Sequence, residues 1–582
     1  MFHRINKFKN QRNKNNLTNT IVIHKGLITG VILLLSIGST FALEGAKPIK
    51  KATSQRTAAN GFGIVPMPYE IKAGEGTPFV ITEETVLVAQ DEEVCLAVQT
   101  SATSSYPNIV LIMCDDLGYG DVSFLNAESK VKTPHMDALA EAGAWATDAH
   151  SPSTVCSPSR YAMLTGRYSW RRKIGRLNPW KESAIDQDRV TLPKILKAKG
   201  YFTACVGKWH LGFDWPWKGG KKPPTSVIGK GTSMATCDMF DWSKPIKGGP
   251  LGAGFDYYFG DDVPNMPPYA LIENDRLTCE PVDVDGRTLR KQQAMQGGYI
   301  HGVGPGEKGW QLDKVMPAIT AKAVKTIQTQ SQNSEPFFLL FATTSPHSPI
   351  VAKEKFKGSS KAGPYGDYIV QTDDSVGQIV AALKAAGIYE DTLLIVSSDN
   401  GPAPFMRDLI RKHQHNPSGS LRGLKRDLLE GGHRVPFIVT WPKGGIDGGR
   451  RIDAMVSQTD LFATIAEIVD TPLEEGVAED SLDILPSLRS NEPVRKELVY
   501  HAANGTLGLR QGDWAYLRPH GITPEPVWFQ ELWKGDSLDG PALMFNLSAD
   551  LAQKKNLQDK YPVRVKQMEQ RLAQIEKGQS SR

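Results

Sequence analysis

Between Asn108 and Thr440 the chain repeats one pattern. A short, continuous apolar run is followed by a longer stretch in which apolar residues recur at helical spacing. The runs are Asn108-Ile-Val-Leu-Ile-Met-Cys114, Tyr201–Val206, Pro336–Ala342, Thr392–Ser397 and Val435–Thr440. A strand with one wet face alternates apolar and polar residues; a strand covered on both faces does not. These runs therefore predict a sheet buried between two layers. Helical candidates between them, among them Tyr368–Ala386 and Asp460–Val469, supply the cover. Strands alternating with helices predict an α/β fold with a doubly wound sheet.

From Glu497 the pattern changes. Glu497–His501, Thr506–Arg510 and Trp514–Leu517 read as short antiparallel strands, and Val563–Lys577 as a charged amphipathic helix. A smaller C-terminal subdomain of one antiparallel sheet plus a helix is expected there. At 582 residues the chain is long enough for such a companion to a large core.

The N-terminal end reads differently again. A basic, Asn-rich stretch precedes the apolar run Leu27–Gly38 and the small residues that lead to Phe41-Ala42. That run is short for a membrane span, and Thr40-x-Ala42 suits cleavage after Ala42. The expected organisation is a signal peptide over 1–42, a linker and short β-rich segment over 43–106, a main α/β domain over 107–496 and the C-terminal subdomain over 497–582. Export to the periplasm or the medium is expected, with no stable membrane span after cleavage; an uncleaved N-terminal anchor is the alternative reading.

Charge then changes one conclusion. The formal net charge is +5, but residues 1–42 hold six basic residues and no acid. Without them the 68 basic residues fall to 62, against 63 acidic ones. The mature chain is near neutral, so nothing in it points to nucleic acid. Six cysteines, with no CxxC pair, form neither a disulfide scaffold nor a zinc site. Cys114 and Cys205 fall in apolar runs and are expected as buried thiols; Cys237 and Cys279 are free to pair or not.

Candidate chemistry gathers where the runs end. Asp115-Asp116 follow the first run and Asp399-Asn400 follow the Thr392–Ser397 run. Adjacent carboxylates repel unless a cation lies between them, and ligands of open α/β sheets gather at the carboxyl ends of strands. Oxygen donors without a His or Cys cluster favour Ca²⁺ or Mg²⁺ over zinc. Alone, either pair also suits a turn or a helix cap. Thr154-Val-Cys156-Ser-Pro-Ser-Arg160 continues into Leu164-Thr-Gly-Arg167. Pro158 suits a first helical turn and Ser157 a cap, so Cys156 is expected at a helix entrance, where backbone N–H groups favour an anion.

The segment Cys156-x-Pro-Ser-Arg160 with Leu164-Thr-Gly-Arg167 resembles the signature of the formylglycine-dependent sulfatases of the alkaline phosphatase superfamily. The resemblance implies an alkaline-phosphatase-like sheet and oxidation of Cys156 to formylglycine (3-oxoalanine) by a formylglycine-generating or anaerobic sulfatase-maturating enzyme. It implies one Ca²⁺ held by Asp115, Asp116, Asp399, Asn400 and the modified Cys156. Gly207-Lys208-Trp-His210, Ser345-Pro-His347-Ser-Pro349 and Gly423-Leu-Lys425 match further motifs of that family. By that match Lys208, His347 and Lys425 hold the sulfate and its leaving oxygen, while Arg160 and His210 orient and deprotonate the formylglycine hydrate. His501 is a candidate substrate contact; His433 is expected to be structural. Phe255–Gly260 and Val263–Tyr269 resemble the arylsulfatase branch, and Gly63–Gly76 resembles the opening of the accessory domain of β-N-acetylhexosaminidases. A sulfated carbohydrate, polysaccharide or glycosaminoglycan fragment, is the implied substrate. Two other readings stay open at this stage: a phosphonate or phosphate ester hydrolase of the same superfamily, and a carbohydrate-binding protein with an unmodified, inactive Cys156.

Overall fold

The computed structural model describes residues 106–224, 234–293, 295–520, 534–536, 538 and 540–582, with the backbone alone for 406–409. Before residue 106 it describes the backbone of three strands, Thr20–His24, Val86–Gln90 and Glu93–Ala97. The apolar run Leu27–Gly38, its cleavage site and the Gly63–Gly76 segment lie outside the described residues. The chain divides into two compact units, Met1–Ser105 and Tyr106–Arg582.

In the first unit Glu93–Ala97 pairs antiparallel with both Thr20–His24 and Val86–Gln90. Thr20–His24 falls inside the stretch read from sequence as a leader.

The second unit is built on a ten-stranded mixed sheet. At its centre five strands run parallel, in the spatial order Tyr257–Gly260, Phe202–Gly207, Phe337–Pro346, Asn108–Asp115 and Thr392–Ser398. Phe437–Thr440 then pairs antiparallel to Thr392–Ser398, which makes the sheet mixed. The central strand explains the unbroken apolar run. Ile109, Leu111 and Met113 enter the core on one face, and Val110, Ile112 and Cys114 enter the core on the other. None of the six is more than 1% exposed. Burying such side chains contributes about 1.5–3 kcal/mol each, so a polar residue anywhere in the run is costly. Helices Val315–Gln330 and Gly363–Ala385 cover one face, Cys156–Thr165 and Leu461–Ile468 the other.

The C-terminal sheet has four antiparallel strands, Glu497–His501, Leu507–Gln511, Trp514–Leu517 and Leu543–Asn546. The last of them was not anticipated from the sequence. Helix Pro562–Lys577 buries Met568, Leu572 and Ile575, spaced by four and three residues. This core also takes in Tyr168, Leu428, Leu429 and Met455, so the small sheet is packed onto loop segments of the large domain. Among the described residues no helix is long and apolar enough to cross a membrane. Cys114 and Cys205 are buried thiols as expected, and Cys237 and Cys279 are unpaired in the structure.

One buried ion pair ties the start of the small sheet to the cap of the covering helix Leu461–Ile468. Arg495, 4% exposed, donates through Nε to Asp460 Oδ2 (2.6 Å), through Nη2 to the Asp480 carbonyl (2.9 Å) and through Nη1 to the Glu497 carbonyl (2.9 Å). Removing one partner leaves the other charge buried and alone, which costs about 3–5 kcal/mol. Arg495→Ala is expected to lower stability to urea by that amount. A loss below about 1 kcal/mol would show that the pair is dispensable.

Candidate active site

The parallel strands end together, and the candidate residues lie on the turns that follow them. Asp115-Asp116 leave the central strand, Lys208 and His210 follow Phe202–Gly207, His347 follows Phe337–Pro346, and Asp399-Asn400 follow Thr392–Ser398. Two of these residues hold strained backbones. Asp116 has φ +67° and His210 has φ +54°, a region non-glycine residues enter at a cost of about 1–3 kcal/mol. Gly207 makes the Lys208 turn with φ +109°, and a Cβ there would lie 1.9 Å from the Ala342 carbonyl oxygen.

Cys156 is the first residue of the buried helix Cys156–Thr165. The cap differs from expectation. Val155, in extended conformation, occupies the N-cap with no side-chain bond, and Ser157 lies inside the helix, its Oγ accepting from Leu177 N at 3.1 Å. The approach to the helix is held instead by backbone: Thr154 N donates to the His501 carbonyl (3.0 Å), and Arg426 N donates to the Thr154 carbonyl (2.9 Å). Cys156 Sγ lies 3.0 Å from Lys425 Nζ. Burial pushes the thiol up, although Lys208 and Lys425 pull the other way. As a thiol it is therefore not an activated nucleophile.

Three carboxylates and three cations interlock around it. Lys208 Nζ donates to Asp115 Oδ2 at 2.6 Å, Lys425 Nζ to Asp116 Oδ1, and Arg160 Nε to Asp399 Oδ2 at 2.9 Å. Arg160 Nη1 also donates to the Lys208 carbonyl (3.0 Å), which ties the two strand ends together. Burial opposes charge on Asp116, yet Lys425, His347 and Lys208 outweigh it and hold the carboxyl at about 2. Asp399 is shifted upward by burial and by Asp115 and Asp116, against Arg160.

Three buried oxygens are left over: Asp115 Oδ1, Asp116 Oδ2 and Asn400 Oδ1 have no hydrogen-bond partner. Asn400 is oriented by its own amide, which donates to Asp116 Oδ1 at 2.7 Å and leaves Oδ1 unused. Orphaned buried acceptors cost about 1–3 kcal/mol each, so a group of three fits a ligand that accepts their lone pairs. An all-oxygen set fits a hard cation such as Ca²⁺. Ligand atoms of Asp115, Asp116, Cys156 and His347 lie within 4.8 Å of one another, all buried.

The two histidines carry protons on known sides. His347 Nδ1 donates to the Ser348 carbonyl at 2.7 Å, so in the neutral ring Nε2 keeps its lone pair, 3.9 Å from Asp116 Oδ2. Burial, with Lys208 and Lys425, holds its pKa down at about 3. His210 Nε2 donates to the Leu177 carbonyl at 3.1 Å, and its buried Nδ1 has no partner. Burial and Lys208 keep this ring neutral as well.

The structure brings together every candidate except His501. That ring is buried and its Nε2 lies 2.9 Å from Ser169 Oγ, while its carbonyl holds Thr154. His501 thus braces the approach to Cys156, a different place from the substrate contact expected from sequence. His433 sits in a buried network with His150 (Nδ1–Nδ1 3.0 Å), stacked on Tyr500 with ring centroids 3.8 Å apart. Ligand atoms of His150, Glu430 and His433 also lie within 4.8 Å of one another. Arg434 and Arg510 bind the carboxylates there, at 2.9 Å to Glu430 and 3.2 Å to Asp148, so their charges already occupy the role of a cation.

Sequence reading missed Asp261 and Asp262, which follow the Tyr257–Gly260 strand as Asp115 and Asp116 follow theirs. Their carbonyls accept from Trp209 N (3.0 Å) and His210 N (3.1 Å), and burial raises both carboxyls to about 7. The same position at a strand's carboxyl end was the available signal.

Residues 107–471 match the family model described as Sulfatase. This chain belongs to the sulfatase family. The sulfatase is 34% identical over 496 residues to the N-acetylgalactosamine-6-O-sulfatase of Bacteroides thetaiotaomicron, covering 81% of this chain and 93% of that one. It is 29% identical to human arylsulfatase A over 78% of this chain and 84% of the relative. A solved 6S-sulfatase from the glycosaminoglycan metabolism of B. thetaiotaomicron superposes with a TM-score of 0.69 at 30% identity, covering 82% of this chain and all of that one. The matched region of this sulfatase holds every candidate site residue but His501.

Proposed function

We propose that this sulfatase, exported to the periplasm or the medium, hydrolyses the sulfate ester of a 6-O-sulfated amino sugar in a glycosaminoglycan or related polysaccharide. The reading includes a formylglycine made from Cys156 and a bound Ca²⁺. The observation that carries it is the set of three orphaned oxygens on Asp115, Asp116 and Asn400 beside a buried, unactivated Cys156. The names of the relatives, two of them 6-sulfatases, support the choice of sugar.

Asp115, Asp116, Asp399, Asn400 and the modified residue 156 would hold the calcium ion, which when bound lowers the proton affinity of an oxygen on residue 156 and offsets sulfate charge. An aldehyde hydrate at residue 156 supplies two geminal oxygens, one to attack sulfur and one to expel sulfate afterwards. The remaining work falls to side chains already placed. Lys208 and Lys425 present ammonium groups to the sulfate oxygens, and their existing bonds to Asp115 and Asp116 fix where those groups stand. Arg160 orients Asp399 and the turn that carries Lys208. His210, with its proton committed to Leu177, has Nδ1 free to take a proton at the helix entrance.

His347 serves the leaving group. The bound ester brings negative charge between the two lysines that depress its pKa, so Nε2 gains affinity for a proton as substrate arrives. That proton then passes to the departing sugar oxygen. His347→Ala is expected to lower kcat about 10²–10⁴-fold for a 6-sulfated sugar, whose alkoxide leaves poorly, and much less for an activated aryl sulfate. The test is release of inorganic sulfate from a panel of defined sulfated sugars and an aryl sulfate, by wild type and variant. Equal losses on both classes would remove the general-acid role, and no sulfate from any ester with mature wild type would remove the whole reading.

A further inference from the structure

We propose that Arg176, Tyr299 and His301 form a subsite at the mouth of the sulfate pocket for a second anionic group of the sugar chain, a carboxylate or a further sulfate. The inference rests on the reading of this protein as a sulfatase of sulfated sugars.

Two loops carry these residues, and each is fixed to the site by its neighbours. Leu177, next to Arg176, donates its N–H to Ser157 Oγ (3.1 Å) and accepts from His210 Nε2 (3.1 Å). Arg176 is therefore one residue from a peptide that touches both the start of the Cys156 helix and the candidate base. The second loop packs against the leaving-group side. Gln296 N donates to the Ile350 carbonyl (3.0 Å) and Ile350 N to the Gly297 carbonyl (3.2 Å). A Cβ at Gly298 would lie only 2.1 Å from Ser348 Cβ, so this loop lies directly on the residue after His347. The loops then meet: Arg176 Nη1 donates to Tyr299 Oη at 3.4 Å, and the Tyr299 and His301 rings are 5.6 Å apart.

The charge pattern singles out Arg176. Arg167, Arg171 and Arg172, in the same stretch, face Glu479, Asp480 and Asp186 at 3.5, 2.7 and 2.7 Å. Arg176 instead bonds two neutral oxygens, Tyr299 Oη and Asn178 Oδ1 (3.0 Å). These two bonds hold the guanidinium in place and leave donors of its planar fork for an oxyanion. Tyr299 is 38% exposed beside it, offering a ring face to a sugar.

Orphaned polar groups nearby point to the same ligand. His301 Nε2 is buried without a partner. Its backbone N–H donates to the carbonyl of Asn265 (2.9 Å), a fully buried residue whose side-chain amide has no partner on either atom. Burial and Arg176 together keep His301 in its neutral form, with a ring nitrogen for a sugar hydroxyl.

The test uses the mature, full-length enzyme with Arg176→Ala and Arg176→Lys. Substrates are a 6-sulfated disaccharide beside a uronate, its carboxyl-reduced counterpart, a disulfated disaccharide without a uronate, and 4-methylumbelliferyl sulfate. Arg176→Ala should lower kcat/KM for an anionic disaccharide about ten-fold more than for the aryl ester, chiefly through KM, and Arg176→Lys should recover part of it. A differential loss on the uronate alone identifies a carboxylate, and one on the disulfated sugar alone a second sulfate. Equal losses on all four substrates, or none, overturn the subsite. If wild type releases sulfate from no ester, the sulfatase reading has failed separately. Calorimetric binding of the same sugars to Cys156→Ala, with and without Arg176→Ala, then decides the subsite by itself: weaker binding of the anionic sugars supports it and unchanged binding overturns it.

Discussion

Cys156→Ala is expected to leave sulfate release at background, roughly 10⁴–10⁶-fold below the matured wild type, as for loss of a nucleophile elsewhere. The size of the loss follows from the geometry. Lys425 Nζ stands 3.0 Å from Sγ, and the helix entrance and both lysines converge on this one position. Among the groups described, no second nucleophile shares it: the carboxylates are bonded to cations, and His210 and His347 donate to the Leu177 and Ser348 carbonyls. The fold should survive, because removing one small buried sulfur costs about 1 kcal/mol and moves melting by a few degrees at most. The same conclusion predicts an inactive wild type when the chain is made without a maturation enzyme, with peptide mass across residue 156 reporting the thiol. Sulfate release by Cys156→Ala within ten-fold of wild type would end the assignment.

The second large effect is expected from metal removal. A strong chelator should lower activity at least about 100-fold, and calcium, but not zinc, should restore it. Stability should move in the same direction. A cation present at 100 times its dissociation constant adds about 2.7 kcal/mol, because it binds the folded site and not the unfolded chain. The physical reason is the set of orphaned oxygens on Asp115, Asp116 and Asn400, which no donor of the protein reaches. Stripping the site leaves these acceptors without that ligand. Full activity and unchanged melting in protein shown to be metal-free by elemental analysis would mean that lysines and Arg160 balance the carboxylates without help.

Much of this was legible because both fold and site obey local rules. The run from Ile109 to Cys114 has the pattern of a strand covered on both faces, and it is one. The acid pairs were visible because they follow such runs directly. Asp261 and Asp262 stand in the same relation to a shorter strand, Tyr257–Gly260, and escaped notice because four residues give too little pattern. Leu543–Asn546 was not read as a strand either. The cap of the Cys156 helix was misread because Ser157 has the chemistry of a cap, yet its hydroxyl is taken by Leu177. His501 was misread because a histidine on the first strand of the C-terminal sheet looks available, whereas packing against the Ser169–Arg172 turn buries it.

The sequence by itself determined the long buried strands, their order of appearance, the residues at their ends and the motif around Cys156. Each of these depends only on neighbours along the chain. Only the tertiary structure decided which strand ends meet, which oxygens of Asp115, Asp116 and Asn400 are left unsatisfied, and that Arg176 reaches Tyr299. Those facts depend on parallel pairing between segments hundreds of residues apart, such as Phe338 beside Ile109 and Leu393 beside Ile109. Local pattern carries no record of which distant partner a strand will choose; burial of both its faces at once makes that choice.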